Sequence, residues 1–182
     1  AMTLFVAFWL YASVPERQGA TAPEPLTAQW AGVRQVFTSR HFWRFAPLGV
    51  MLTGGFMAVQ SLWSVAWLMQ VNGYSRAAAA DHIAAMSVAM LLAYVLIGLL
   101  ATGLARRGVT PVHLMVGGLS LSLLTLAAIV GDLSSQTYLL WIAYGTFSSF
   151  GTLSYSQAAA GFPLALVGRA NTAFNLMVFI GA

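Results

Sequence analysis

Apolar residues in this chain run in membrane-length stretches, broken by short polar segments rich in Gly, Pro, Asn and Arg. A helix rises 1.5 Å per residue, so roughly 20 apolar residues cross the hydrocarbon core of a bilayer. The pattern predicts four complete spans, at 46–69, 82–104, 111–130 and 138–160. Asn72-Gly73-Tyr74-Ser75 closes the first with turn residues. Arg106-Arg107-Gly108 ends the second, Gly131-Asp132 the third and Gly161-Phe162-Pro163 the fourth. Two shorter apolar runs, 1–13 and 169–182, flank them. They are expected to be the end of one transmembrane helix and the start of another, with the chain beginning and stopping inside a span. Residues 14–45 form a polar linker containing Pro23 and Pro25. Within it, from Thr27, Trp30, Val33 and Phe37 recur at helical spacing. This predicts a short amphipathic helix that either lies on the membrane surface or packs on the base of the bundle. Short loops make sequential helices antiparallel neighbours.

Composition supports lipid as the solvent. Hydrophobic residues make up 59% of the 182 and charged residues 7%, with a mean hydropathy of +0.80. A water-soluble domain carries about 25% charged residues. The absence of cysteine excludes a disulfide framework, a thiol nucleophile and a cysteine zinc site. A net charge of +4 would suit nucleic acid, but the eight basic residues, all arginine, are dispersed between apolar runs. Topology accounts for them better than phosphate binding, so no nucleic-acid partner is expected. Loops alternate between the two sides of the membrane. One side holds Arg17, Arg34, Arg40, Arg44, Arg106, Arg107 and Arg169, the other only Arg76. The positive-inside rule assigns the arginine-rich side to the cytoplasm.

The spans hold uncharged polar residues and no ionisable centre. Phe56, Gln60, Trp63 and Trp67 share one helical face in the first. Gln60, near the span centre, needs partners or water. It either lines a cavity or bonds a neighbouring helix, and Trp67 belongs to a cavity wall or to the interfacial aromatic belt. In the fourth span, Tyr144, Ser148, Gly151 or Thr152, and Tyr155 form a polar stripe that should face the bundle interior or a water-filled path. Individual hydroxyls there also have the option of bonding their own helix. Ala85, Ala89 and Ala93 form a small-residue stripe predicting close helix contact, with Tyr94 beside it. The third span, with His113 at its start, reads as an outer helix. No H-E-x-x-H, G-x-S-x-G, P-loop or G-x-G-x-x-G occurs. No enzyme activity, catalytic residue, metal or other cofactor is expected.

Gly98-Leu-Leu-Ala-Thr102-Gly-Leu-Ala105-Arg106-Arg107 resembles the loop motif G-x-x-x-D-R-x-G-R-R of the major facilitator superfamily. Gly98, Arg106 and Arg107 match, while Thr102, Gly103 and Ala105 stand where the family has Asp, Arg and Gly. Phe162-Pro163 and Gly168-Arg169-Ala170-Asn171-Thr172 also look like bacterial members. The resemblance covers nearly the whole chain and implies the C-terminal half of such a transporter, from the sixth to the eleventh helix. The implied fold is an all-α polytopic membrane protein, a six-helix half-bundle with its first and last helices truncated. The implied partners are the lipid bilayer, a small-molecule solute and a separate N-terminal six-helix half. The implied location is the bacterial cytoplasmic (inner) membrane. Alternating access around a midplane cavity would follow. Gln60, Trp63, Trp67, Tyr94, Tyr144, Ser148, Tyr155 and Asn175 are the cavity candidates. Gly98, Arg106, Arg107 and Arg169 are candidates for the gating cytoplasmic loops. The competing reading is a non-transporting membrane protein, a signalling or assembly subunit, with the same bundle.

Overall fold

The computed structural model describes residues 25–133 and 135–181, with Trp9 and Ser13 before them. Apart from Trp9 and Ser13, the expected first part-helix and the linker up to Glu24, Arg17 included, lie outside the described residues. Described elements are helical, with no strand among them. They are α1 (Leu26–Thr38), α2 (Arg40–Met57), a π-helical turn (Ala58–Trp63), α3 (Ser64–Gln70), α4 (Arg76–Arg106), α5 (Pro111–Val130), α6 (Thr137–Ser148), a 3₁₀ turn (Ser149–Thr152), α7 (Leu153–Ala160) and α8 (Leu164–Gly181).

Four helices are long and apolar enough to cross a membrane: Arg40–Gln70, Arg76–Arg106, Pro111–Val130 and Leu164–Gly181. Their outer faces are oily: Leu91, Leu92, Val95, Leu96 and Leu99 of α4 are all exposed. Such a continuous apolar surface belongs in lipid, and the chain is a helical membrane protein. The expected span at 138–160 is helical throughout but interrupted by the 3₁₀ turn. It is the central rod, packed against α2, α4, α5 and α8.

Polar caps carry the helices beyond the apolar runs that predicted them. The first span begins at Arg40 rather than at 46, because Ser39 caps it by accepting the His41 amide at 3.2 Å. It then runs through Pro47, whose missing amide breaks one rung of the ladder. The second begins at Arg76 rather than at 82, with the Ser75 hydroxyl accepting from the Ala78 amide at 3.2 Å. Pro111 follows the N-cap Thr110, which forms a reciprocal capping box with His113. That box gives His113 a local structural role. The last helix begins at Leu164 rather than at 169.

Helix crossings use glycine. A side chain at Gly145 would collide with Met86 and Met90 of α4, and one at Gly118 with Phe150. Gly54 of α2 meets the Gly181 carbonyl of α8, backbone to backbone. Small residues at these points let helices approach closely in lipid. The alanine stripe is only partly at a contact: Ala93 is buried, whereas Ala85 and Ala89 sit half-buried at the margin. The buried face of α4 is instead Ala79, His82, Met86, Ala93 and Ile97. Nor is α5 only an outer helix, since Met115, Gly118, Ser122, Thr125 and Ile129 are buried.

The core falls into two clusters. Val36, Phe42, Ala46, Ala158, Ala170 and Phe174 pack at the end carrying α1. Leu68, Ala79, Met86, Ile129, Trp141 and Tyr144 pack at the other. α1 packs on the base of the bundle, one of its two expected placements. Gly32 and Val36 are buried against the bundle, and Trp30 remains 74% exposed.

Candidate functional site

Between the two core clusters lies a cavity of about 290 Å³. Gln60 enters it from the first span, Tyr94 from α4, and Ser148, Thr152 and Tyr155 from the central rod. Phe56 and Phe174 supply apolar wall. Four of the eight cavity candidates thus meet: Gln60, Tyr94, Ser148 and Tyr155. Asn175 joins them indirectly, because the Tyr155 hydroxyl donates to its Oδ1 at 3.1 Å.

Local breaks in α-geometry shape both main walls. In the π turn, the Ser64 amide reaches back five residues to the Val59 carbonyl. The Ser64 hydroxyl then donates to the Gln60 carbonyl at 2.5 Å. Across the cavity, the 3₁₀ turn Ser149–Thr152 tightens the central rod. Because a π turn takes more residues per revolution than an α turn, positions beyond it rotate around the helix axis. This separates the expected aromatic face. Trp63 is 64% exposed and is absent from the cavity wall. Trp67 packs against the cluster of Leu68 and Trp141.

Tyr144 is also displaced from the expected path. It is buried and stacks on Phe56 with ring centroids 5.6 Å apart. Its side chain bonds Ser148, and the Ser148 hydroxyl is 2.7 Å from that of Ser122 on α5. Tyr144, Ser122 and Ser148 face a second, more apolar crevice of about 390 Å³ between α2 and α5. Neighbouring hydroxyls of the central rod bond their own helix: Thr146 donates to the Ile142 carbonyl, Ser149 to that of Gly145 and Ser154 to that of Gly151, with Ser149 also 3.5 Å from the Met90 carbonyl of α4.

The loop candidates lie apart from this cavity. Gly98 is inside α4, with open space where a side chain would project. Arg106 and Arg107 end α4, and Gly108 follows at φ +82°, with its amide on the Ala105 carbonyl. A left-handed glycine and basic last-turn residues form a helix stop in their own right. Arg169 lies over Gly32 of α1, where any side chain would collide with the guanidinium.

Buried polar contacts also occur outside the sequence-derived stripes. His82 is buried between the rings of Tyr74 and Tyr138, at 4.6 and 4.8 Å. Its Nδ1 meets the Ala78 carbonyl at 2.7 Å, while Nε2 is enclosed without a partner. Nothing in hydropathy signals this, because the residue stands at the edge of an apolar run. His41 Nε2 lies 2.8 Å from the Gln157 carbonyl and ties the start of the first span to the end of the central rod. Among the described residues, no three His, Asp or Glu side chains converge to hold a metal.

No protein-family model, curated protein or solved structure matches this chain.

Proposed function

We propose that this chain is half of a secondary or facilitative transporter of the major facilitator type, and that the 290 Å³ cavity borders its solute path. One observation carries the reading. Gln60, Tyr94, Ser148 and Tyr155, far apart in sequence, line one cavity between two core clusters. The polar groups of this half-open, largely apolar cavity need water, a solute or a facing protein surface as partners. Its wall offers amide, hydroxyl and aromatic groups and no charge. That chemistry suits sugars, amphipathic neutral molecules, or an organic acid whose countercharge lies on a facing half. Rocking of two halves would expose the cavity to each side in turn. The arginine distribution supports a cytoplasmic position for α1 and the turn before α8, in a bacterial inner membrane.

Solute uptake by the intact protein, normalised to folded protein in the membrane, tests the reading. A lost neutral hydrogen bond is worth about 0.5–1.5 kcal/mol. Gln60→Ala should therefore weaken apparent affinity by roughly two- to tenfold. A contribution from Gln60 to helix packing alone would lower yield and leave the affinity unchanged.

A further inference from the structure

A groove separate from this cavity holds about 620 Å³ and runs between α1 and the start of α8. Its polar groups are Gln29, Arg169 and Thr172, and its apolar walls include Val33, Phe37 and Leu176. We propose that this groove binds an acidic phospholipid, with the headgroup phosphate on Arg169 and the acyl chains along Phe37 and Leu176.

The lining has the polarity of a lipid at the edge of the hydrocarbon core: a cation at one part, aliphatic and aromatic surface beyond. Leu176 is half exposed on α8, with Phe179 and Ile180 exposed further along the same helix. An acyl chain leaving the groove thus stays on apolar surface. A guanidinium carries five N–H donors in a planar fork suited to phosphate oxygens, so a phosphate joins whatever else Arg169 holds. Gly32 leaves room for that guanidinium against α1.

Charge selects an acidic lipid as the occupant. The chain crossings place Arg34, Arg40, Arg44, Arg106, Arg107 and Arg169 at the end of the bundle bearing this groove. Among the described residues, no Asp or Glu accompanies them there. The other end carries Arg76 with Asp81 and Asp132. By sequence, Glu16 and Glu24 fall on this side too, against seven arginines, and such a basic excess attracts an anionic leaflet. The exposed Trp30 and Trp43 beside the groove suit the headgroup level of a bilayer.

The test uses the intact protein, delipidated in mild detergent, with lipid retention read by native mass spectrometry. Phosphatidylglycerol should bind and raise the melting temperature, while phosphatidylcholine and inorganic phosphate should do neither. Arg169→Gln should cut phosphatidylglycerol retention roughly tenfold, as expected for a lost charge-assisted contact. Ala165→Trp, which fills the groove from an exposed position without changing charge, should cut it similarly. Arg40→Gln removes the same charge at the same end but outside the groove, and should stay within about twofold of wild type. Equal losses for Arg40→Gln and Arg169→Gln would reduce the effect to diffuse charge and overturn the site. An equal response to inorganic phosphate would make it a free-anion site instead. Unchanged retention in Ala165→Trp would show that the groove holds no lipid, as it would if another segment of protein covers it. Should Arg169→Gln fail to fold, Ala165→Trp decides alone.

Discussion

Gly145→Leu is expected to destabilise the bundle more than any single change on its lipid-facing surface. A Cβ at this position would meet the Met86 side chain and lie 2.9 Å from the Met86 backbone carbonyl. Methionine can swing away, but a helical carbonyl cannot. The leucine must therefore push α4 off α6, opening the cluster of Met86, Trp141 and Tyr144. Overpacking of this kind costs about 1–3 kcal/mol, and the backbone clash places this variant at the upper end. Gly117→Leu is the matched control. Gly117 lies in α5 with nothing within 4 Å of the added Cβ. It should be neutral or stabilising by up to about 1 kcal/mol, because leucine favours helix over glycine. Thermal unfolding of the intact protein in one detergent compares the two. Equal melting temperatures would show that the α4–α6 crossing does not pass through Gly145.

Thr152→Trp should have the largest effect on transport. Thr152 faces the cavity from the 3₁₀ turn, and its side chain is exposed there. An indole added at this point occupies solute space without displacing a packed core residue. Stability should change by no more than about 0.5 kcal/mol. Uptake should fall at least tenfold, equivalent to about 1.4 kcal/mol or more. The contrast with Gln60→Ala is informative, since one variant removes a single hydrogen bond and the other removes the volume. Normal uptake in folded Thr152→Trp would place the solute elsewhere.

The membrane character of the chain and the grouping of Gln60 with Ser148 and Tyr155 were legible from hydropathy and helical periodicity. Both signals depend on regular geometry, and they fail where geometry changes. The π turn at Ala58–Trp63 separates Trp63 from Gln60, although an α-helical wheel puts them on one face. Tyr144 carries a hydroxyl and so reads as a pore residue, yet its ring is committed to Phe56 and its side-chain bond to Ser148. The alanine stripe signalled a close crossing, but the crossing is set by Gly145 on the partner helix facing Met86 and Met90. A single helix's sequence cannot say which neighbour supplies the gap. Helix ends were misplaced because apolar runs mark the lipid-soluble part, whereas caps such as Ser39 and Ser75 mark where hydrogen bonding begins. The Arg106-Arg107-Gly108 stretch explains itself locally as a helix stop, so its family likeness adds little evidence about gating.

Alternating access is the central claim, and it can be tested without knowing the solute. The chain has no native cysteine, so Thr152→Cys introduces a single thiol at the cavity wall. Leu99→Cys provides a lipid-facing reference, 72% exposed on the outer side of α4. The intact protein, reconstituted in sealed vesicles, is treated with a membrane-impermeant thiol reagent applied to one side at a time. Alternating access predicts that Cys-substituted Thr152 is modified from both sides, while the Leu99 variant is modified from neither. Modification of the Thr152 variant from one side only, unchanged across a panel of candidate solutes, would contradict the account and leave a static membrane bundle in its place.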